Sequence, residues 1–417
     1  MTIRTLLAAS VALLAVPAIA SDNMERLGAM QATGVTDFKF VDQSGPAADA
    51  IRATLAKIEM PPGFEIDLYA LVPDARHIAM GPQGVATFVG TRKTDLWVVT
   101  DRDKDRVADE VKNFAPSISF DIPNGVCFSP DGFLFVAERN RVLNFPAAEF
   151  FYESPDVAVI TVVADGELIP EEEESFNHTA RVCDIGPDGK LYISLGQPFN
   201  VHPKEKYDLY NEVGIGGIVR MNTDGSEREV YTYGVRNSVG QDFNPANGDF
   251  WWTDNQVDGM GDDIPPGELN RQTEAGQHFG FPYYGGGQVR TADYQDETPP
   301  DGLVFPEVEQ VAHAADLGMV FYTGTMFPEE YQGGIFHAQH GSWNRTEPVG
   351  ARVMFTPINE DGSAGQTVPF AEGWLAETGE YLGRPVDVAQ MRDGSILVSD
   401  DLAGALYRIA YVGLPAE

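Results

Sequence analysis

A six-bladed β-propeller, an all-β fold, is what this sequence predicts, and three observations predict it. A glycine-bearing turn followed by an alternating apolar strand recurs along the chain. The copies are GPQGVATFVG from Gly81, SPDGFLFVAE from Ser129, GPDGKLYISL from Gly186, NPANGDFWWTD from Asn244, PEEYQGGIFHAQ from Pro328 and MRDGSILVSD from Met391. Their spacing is about 50 to 60 residues, with one wider gap near residues 250–330, a period that a sandwich or barrel does not require. Several copies are trailed by a further strand, such as DLWVVT, GIVRMN, RVMFTPI and ALYRIA, so each repeat reads as a small antiparallel sheet.

Taken in chain order, the first element lies outside the fold. Arg4 precedes the apolar run LLAASVALLAVPAIA, and Ala18-Ile19-Ala20 offers a small-x-small cleavage site before Ser21. Residues 1–20 therefore read as a secretory signal rather than a membrane span, and the expectation is a periplasmic or secreted protein without membrane insertion. Residues 21–60 form an N-terminal extension. Within it SGPAADAIRATLAKIEM, residues 44–60, has the spacing of a helix. Residues 61–417 are the propeller. Its long polar, Gly-rich insertions, residues 171–184, 196–217, 234–242, 252–287 and 338–350, are where a propeller carries ligands.

Charge narrows the function classes. The 417 residues hold 63 acidic and 28 basic side chains, for a net charge of −35. Such a surface repels nucleic acid and anionic membranes. It also makes clusters of arginine conspicuous. Two cysteines are present, Cys127 in NGVCFSPDG and Cys183 in RVCDIGPDG. Aligned on Asp-Gly they fall one register apart and face opposite sides of their strands, so no disulfide is expected. There is no haem-attachment or zinc spacing.

The candidate chemistry lies on the insertions. YGVRNSVGQDFNP places Arg236 and Asn237 just before a blade strand, and a guanidinium fork suits carboxylate or quinone oxygens. TDNQVDGMGDDIPPGELN sets Asp254, Asp258, Asp262, Asp263 and Glu268 on an irregular loop of the kind Ca²⁺ prefers, though a solvated acidic loop has the same composition. SFNHTARV puts His178 ahead of a strand, where a neutral imidazole can serve as a base. HGSWNR, residues 340–345, and LGRPVDV, with Arg384, add further cations. TDRDKDRVADE spaces Asp101, Asp103, Asp105 and Asp109 like a calcium loop, but Arg106 and Lys112 stand where such a loop wants Gly and Glu, so a solvated hairpin is the expectation.

Together YGVRNSVGQDF, TDN…GDDIPPGELNR, HFGFPY, LGMVFYTGTMFP, HGSWNR, GRPVDV and VSDDLAGALYRI resemble, in this order, the sorbosone dehydrogenase family of soluble sugar dehydrogenases that use pyrroloquinoline quinone (PQQ). The resemblance runs from PPGFEIDLYA at residue 61 to the C-terminus. It implies PQQ and Ca²⁺ at the channel mouth. His178 and Arg236 would be catalytic. Arg236, Asn237, Asn255, His340, Trp343, Arg345 and Arg384 would contact the quinone. Backbone oxygens near Gln256 and Val257 would hold its calcium, with Asp262, Asp263 and Glu268 forming a second calcium site. Gln197 would face the substrate. The implied reaction is oxidation of an aldose or sorbosone-like sugar, with electrons passed to an external cytochrome or quinone. The chain departs from the family where Thr179-Ala180-Arg181 follows His178, in GQPFN at residues 196–200, and at Gln256-Val257. A calcium-dependent propeller lactonase or hydrolase, or a non-catalytic propeller binding module, are the competing readings.

Overall fold

The computed structural model describes residues 30–32 and 37–414; the expected signal, residues 1–20, lies outside them. Strand β1 is Gln31–Ala32, helix α1 is Pro46–Leu55, and β2 is Phe64–Leu71. Blade 1 is β3 (Ile78–Met80), β4 (Thr87–Val89), β5 (Trp97–Thr100) and β6 (Glu110–Asn113). Blade 2 is β7 (Gly125–Phe128), β8 (Leu134–Ala137), β9 (Val142–Phe145) and, after the short helix α2 (Ala148–Phe151), β10 (Ala158–Val163). Blade 3 is β11 (Cys183–Ile185), β12 (Leu191–Leu195) and, after α3 (Tyr207–Val213), β13 (Gly217–Met221) and β14 (Glu229–Tyr233). Blade 4 is β15 (Gly240–Phe243), β16 (Phe250–Asp254), β17 (Gly267–Gln272) and β18 (Val308–Gln310). Blade 5 is β19 (Asp316–Phe321), β20 (Ile335–Gln339), β21 (Arg352–Thr356) and β22 (Val368–Glu372). Blade 6 is β23 (Pro385–Gln390), β24 (Ile396–Asp400) and β25 (Ala405–Tyr411).

These make six antiparallel sheets, the six expected blades. All six repeated turns fall between the first and second strands of a blade. The wide gap is the excursion between β17 and β18. Blade 6 takes its fourth strand from the other end of the chain: β2 pairs with β25 from Phe64↔Tyr411 to Leu71↔Ala405. The two ends of the propeller are thereby joined in one sheet, which closes the ring of blades. β1 adds a fifth strand to blade 2. Among the described residues no helix is long and apolar enough to cross a membrane.

Neighbouring blades are joined by packing and by buried polar latches. Phe88 of blade 1 meets Phe128 of blade 2 at 5.6 Å, and Phe114 meets Phe145 at 5.0 Å, both edge-on. The Asp387 carboxylate of blade 6 accepts the Ile78 N–H of blade 1 at 2.7 Å, and Asp242 of blade 4 accepts the Phe321 N–H of blade 5 at 2.7 Å. Helix α1 opens on Pro46, which suits a first turn with no N–H to satisfy. It buries Ala48, Ile51 and Leu55, one face of a helix, in the core shared by blades 5 and 6.

The cysteines correct the sequence expectation. Cys127 and Cys183 are bonded, with Cα atoms 5.7 Å apart. They lie on β7 and β11, the first strands of adjacent blades. The one-register offset is present, and its consequence is the reverse of the one expected. Around a ring, one face of a blade packs on the opposite face of the next. Side chains on opposite faces of equivalent strands therefore point at each other.

Candidate active site

In an antiparallel hairpin the start of the first strand and the end of the second lie together, opposite the turn. Since the repeated turns occupy one end of the ring, segments entering first strands and leaving second strands converge on the other. A cavity of about 290 Å³ opens there. Its lining includes Arg76 before β3, His178 before β11, Arg236 and Asn237 before β15, Asn255 and Gln256 after β16, and His340, Trp343 and Asn344 after β20.

His178 is held with φ of 53°. Its Nδ1 meets the Gln197 carbonyl oxygen, so Nδ1 carries the proton and Nε2 is left with a free lone pair. Burial, then the charge of Arg236, pushes the imidazole down to about 3, against the pull of the Gln197 carbonyl; Arg181 and Arg92 push the same way. Arg181, one of this chain's departures from the family, is 2% exposed and is not part of the cavity lining. Its guanidinium donates to the carbonyls of His178 (3.0 Å), Gly196 (3.2 Å) and Arg139 (3.0 Å). It fixes the His178 turn to the Gly196 loop. Gln197, expected at the substrate, is fully buried and absent from the lining. Its side-chain amide is taken up by the Phe199 backbone, so it reaches the site through its carbonyl on His178.

Arg236 is 2% exposed. It donates to Asn200 O (3.0 Å), Asn255 O (2.9 Å) and Asn200 Oδ1 (2.9 Å), and pairs with Asp258 at 2.9 Å. The buried Asp254 carboxylate accepts the backbone N–H groups of Arg236 (2.9 Å) and Asn237 (2.6 Å), which sets the pair in place. Asn255 donates to Asn237 O and Asp316 O. The Asn237 Oδ1 and Asn344 Oδ1 atoms are buried without a hydrogen-bond partner among the described residues. His340 bonds Asp401 at 2.8 Å and is pushed down to about 4 by burial. Trp343 stands 77% exposed at the rim.

Several expected residues do other work. Arg384 donates to the carbonyls of His340 (2.9 Å) and Gly341 (2.6 Å), and Arg345 to those of Asp262, Ala312 (3.3 Å) and Glu347 (3.2 Å). Neither lines the cavity; both brace the loop that does. The second calcium set is not gathered. Asp263 projects outward with its side chain 93% exposed, and Asp262 accepts the Thr346 N–H. Glu268 is 3% exposed, bonded to Gly287 N and Asn270, and pushed up to about 8 by burial and then by Asp254. Val257 is buried with its N–H on Gly285 O. The acids that do come together are Asp101, Asp103 and Asp109, with ligand atoms within 4.8 Å of one another, on the blade 1 loop.

The sequence reading missed Arg76, Arg92 and Asp401. Arg76 is 3% exposed and bonds Asp401 (2.7 Å) and Asn124 (3.1 Å). A positional signal was available: Arg76, Arg181, Arg236 and Arg384 all shortly precede the first strand of a blade.

The fold and this mouth define a class: a six-bladed propeller whose ligand site is furnished with guanidinium, amide and imidazole groups. The chain belongs to the glucose/sorbosone dehydrogenase family, whose profile matches residues 167–408. A Borreliella burgdorferi protein described as "Uncharacterized protein" is 36% identical over 247 residues, 58% of this chain; the match spans 63% of that relative's length. Three solved structures share the fold. The Trichoderma reesei Carbohydrate-Active Enzymes Family AA12 protein in its iodide structure is 19% identical, with TM-score 0.67 over 85% of this chain and 98% of that one. The holo form of the pyranose dehydrogenase PQQ domain from Coprinopsis cinerea is 19% identical, with TM-score 0.66 over 85% and 97%. The soluble aldose sugar dehydrogenase of Escherichia coli in its apo form is 17% identical, with TM-score 0.56 over 84% and 99%.

Proposed function

We propose that this chain is an exported, PQQ- and calcium-dependent sugar dehydrogenase that oxidises an aldose or sorbosone-like sugar and passes the electrons to an external cytochrome or quinone. The observation that carries the reading is the pairing, in one cavity, of a neutral histidine with an open Nε2 and buried arginines beside orphaned amide atoms. Guanidinium donors suit the carboxylates and oxygens of a flat quinone, and an orphaned amide oxygen suits a hard cation or a donor group. Arg76, Arg236, Asn237, Asn255 and His340 would hold the quinone, with Trp343 at its edge. The backbone of Gln256 and Val257 would face the calcium. When bound, PQQ supplies the two-electron acceptor and calcium a Lewis acid.

The protein's own part follows from its geometry. His178 Nε2 takes the proton from the sugar hydroxyl, a step typically worth about 10²–10⁴ in rate. Its tautomer is fixed by the Gln197 carbonyl, and Arg181 holds the turn that carries it. Arg236 keeps its charge through Asp258 and offers it where negative charge grows. A hydrolase reading needs carboxylates free to converge on one channel metal, and the three in this lining are engaged: Asp254 by the Arg236 and Asn237 N–H groups, Asp258 by Arg236, and Asp316 by His337 and Gln339.

The test is a titration of the metal-stripped protein with PQQ, with and without calcium, read by thermal stability and then by dye reduction across aldoses and sorbosone. Calcium-dependent stabilisation with turnover is the expected result. Absence of PQQ binding at any calcium level would overturn the assignment.

A further inference from the structure

Arg92 is the cavity's uncommitted cation. It lies on the loop between β4 and β5 and lines the mouth with Arg76 and Arg236. Those two are buried and positioned by protein partners, Asp401 and Asn124 in one case and Asn200, Asn255 and Asp258 in the other. Arg92 reaches solvent, and among the described residues its guanidinium makes no hydrogen bond or ion pair; its surroundings partly desolvate it and lower its pKa from the usual guanidinium value. Two carboxylates stand near it. Asp74 accepts the Arg92 backbone N–H at 2.6 Å, and Asp401 is occupied by Arg76 (2.7 Å) and His340 (2.8 Å).

Its position is informative. The charge of Arg92 is felt at His178, the proposed base. Arg92 and His178 line the same mouth, so a substrate whose hydroxyl faces His178 lies within the reach of the Arg92 charge. Arg76 and Arg236 are held by protein partners, whereas the Arg92 guanidinium has none and is free to take a ligand that comes and goes. The rest of the surface works against anions, since the chain carries a net charge of −35. A free guanidinium at the entrance of such a molecule is a local reversal of sign, and a guanidinium fork fits a carboxylate or phosphate.

We propose that Arg92 is a specificity-determining residue and that the substrate is an acidic sugar, bearing a carboxylate or phosphate that Arg92 receives while a hydroxyl faces His178. This inference rests on the dehydrogenase reading above. It explains why an acidic protein keeps an unpaired arginine beside its site.

The experiment compares glucuronate and glucose 6-phosphate with glucose, using the full chain as wild type, Arg92→Gln and Arg92→Lys. Calorimetric binding is measured on the cofactor-free protein, and kcat/KM for dye reduction on protein loaded with PQQ and calcium. PQQ affinity of each variant is measured separately. The expected result is that at least one of the two anions is favoured over glucose by about tenfold or more, the scale of one charge-assisted contact. That preference should vanish in Arg92→Gln, persist in part in Arg92→Lys, and weaken with added salt, with anion binding and turnover changing far more than the glucose values or PQQ affinity. A carboxylate preference and a phosphate preference distinguish the two sources of charge. The proposal is overturned if glucose matches or exceeds both anions in binding and turnover, or if Arg92→Gln weakens PQQ while leaving sugar discrimination intact. Failure of the wild type to bind PQQ falls on the dehydrogenase assignment instead, and anion binding to the cofactor-free protein still decides the role of Arg92.

Discussion

His178 occupies a left-handed backbone conformation that a side-chain-bearing residue rarely adopts, and its surroundings hold it there. The Gln197 carbonyl fixes one ring nitrogen and Arg181 grips the His178 carbonyl. Replacing His178 by Gln should lower turnover by about 10²–10⁴ while leaving PQQ affinity intact, checked by single-turnover kinetics beside a binding titration. The imidazole also titrates unusually. Its folded value is about 3 against 6.5 for a free histidine. Between those values the unfolded chain binds more protons, so stability is full above pH 6.5 and is lost as pH falls toward 3. Thermal denaturation should therefore show His178→Gln gaining on the wild type as pH is lowered from 7 to 4. At this scale the sequence disclosed His178 and Arg236 because each lies in a distinctive motif. It did not disclose Arg76 or Arg92, which sit in ordinary segments flanking the β3–β4 hairpin, nor that Arg76 meets Asp401 when blade 1 closes against blade 6. Nor did it tell which way an arginine fork faces. Arg345 and Arg384 lie beside glycine-rich loops whose carbonyls need donors, and those carbonyls claimed them.

At the scale of elements, the repeated turns marked every blade, because turn chemistry is local and each hairpin must satisfy it alone. What stayed hidden was how one element meets the next. Cys127 and Cys183 show this: the registers were legible, and the face-to-face stacking that joins them is a property of the ring. The bond closes a loop with a sequence separation of 56, so replacing both cysteines with alanine should lower stability by about 2–4 kcal/mol, checked by denaturant unfolding with and without reductant. The wild type in reductant should approach the variant. Glu268 makes the same point in another way. Its place in an acidic loop sequence reads as a metal ligand, yet β17 turns it into the blade interior opposite Asp254.

Over the whole molecule, 63 acidic residues against 28 basic ones mean that folding gathers like charge. Self-repulsion opposes the compact state, and salt screens it over about 10 Å at 0.1 M. The melting temperature should rise as sodium chloride is added to a low-salt buffer. A melting temperature indifferent to salt would mean that local ion pairs already balance the surface.

The strand that closes the ring has a mechanical meaning. Because β2 runs antiparallel to β25, Phe64 and Tyr411 sit together at one end of their ladder, and the Val412 N–H donates to the Gly63 carbonyl just beyond it at 2.8 Å. Tension applied through the two ends of the propeller would thus open that ladder like a zipper, one hydrogen bond after another, instead of shearing all of them together. Blade 6 is the place where the circle would part under a pull.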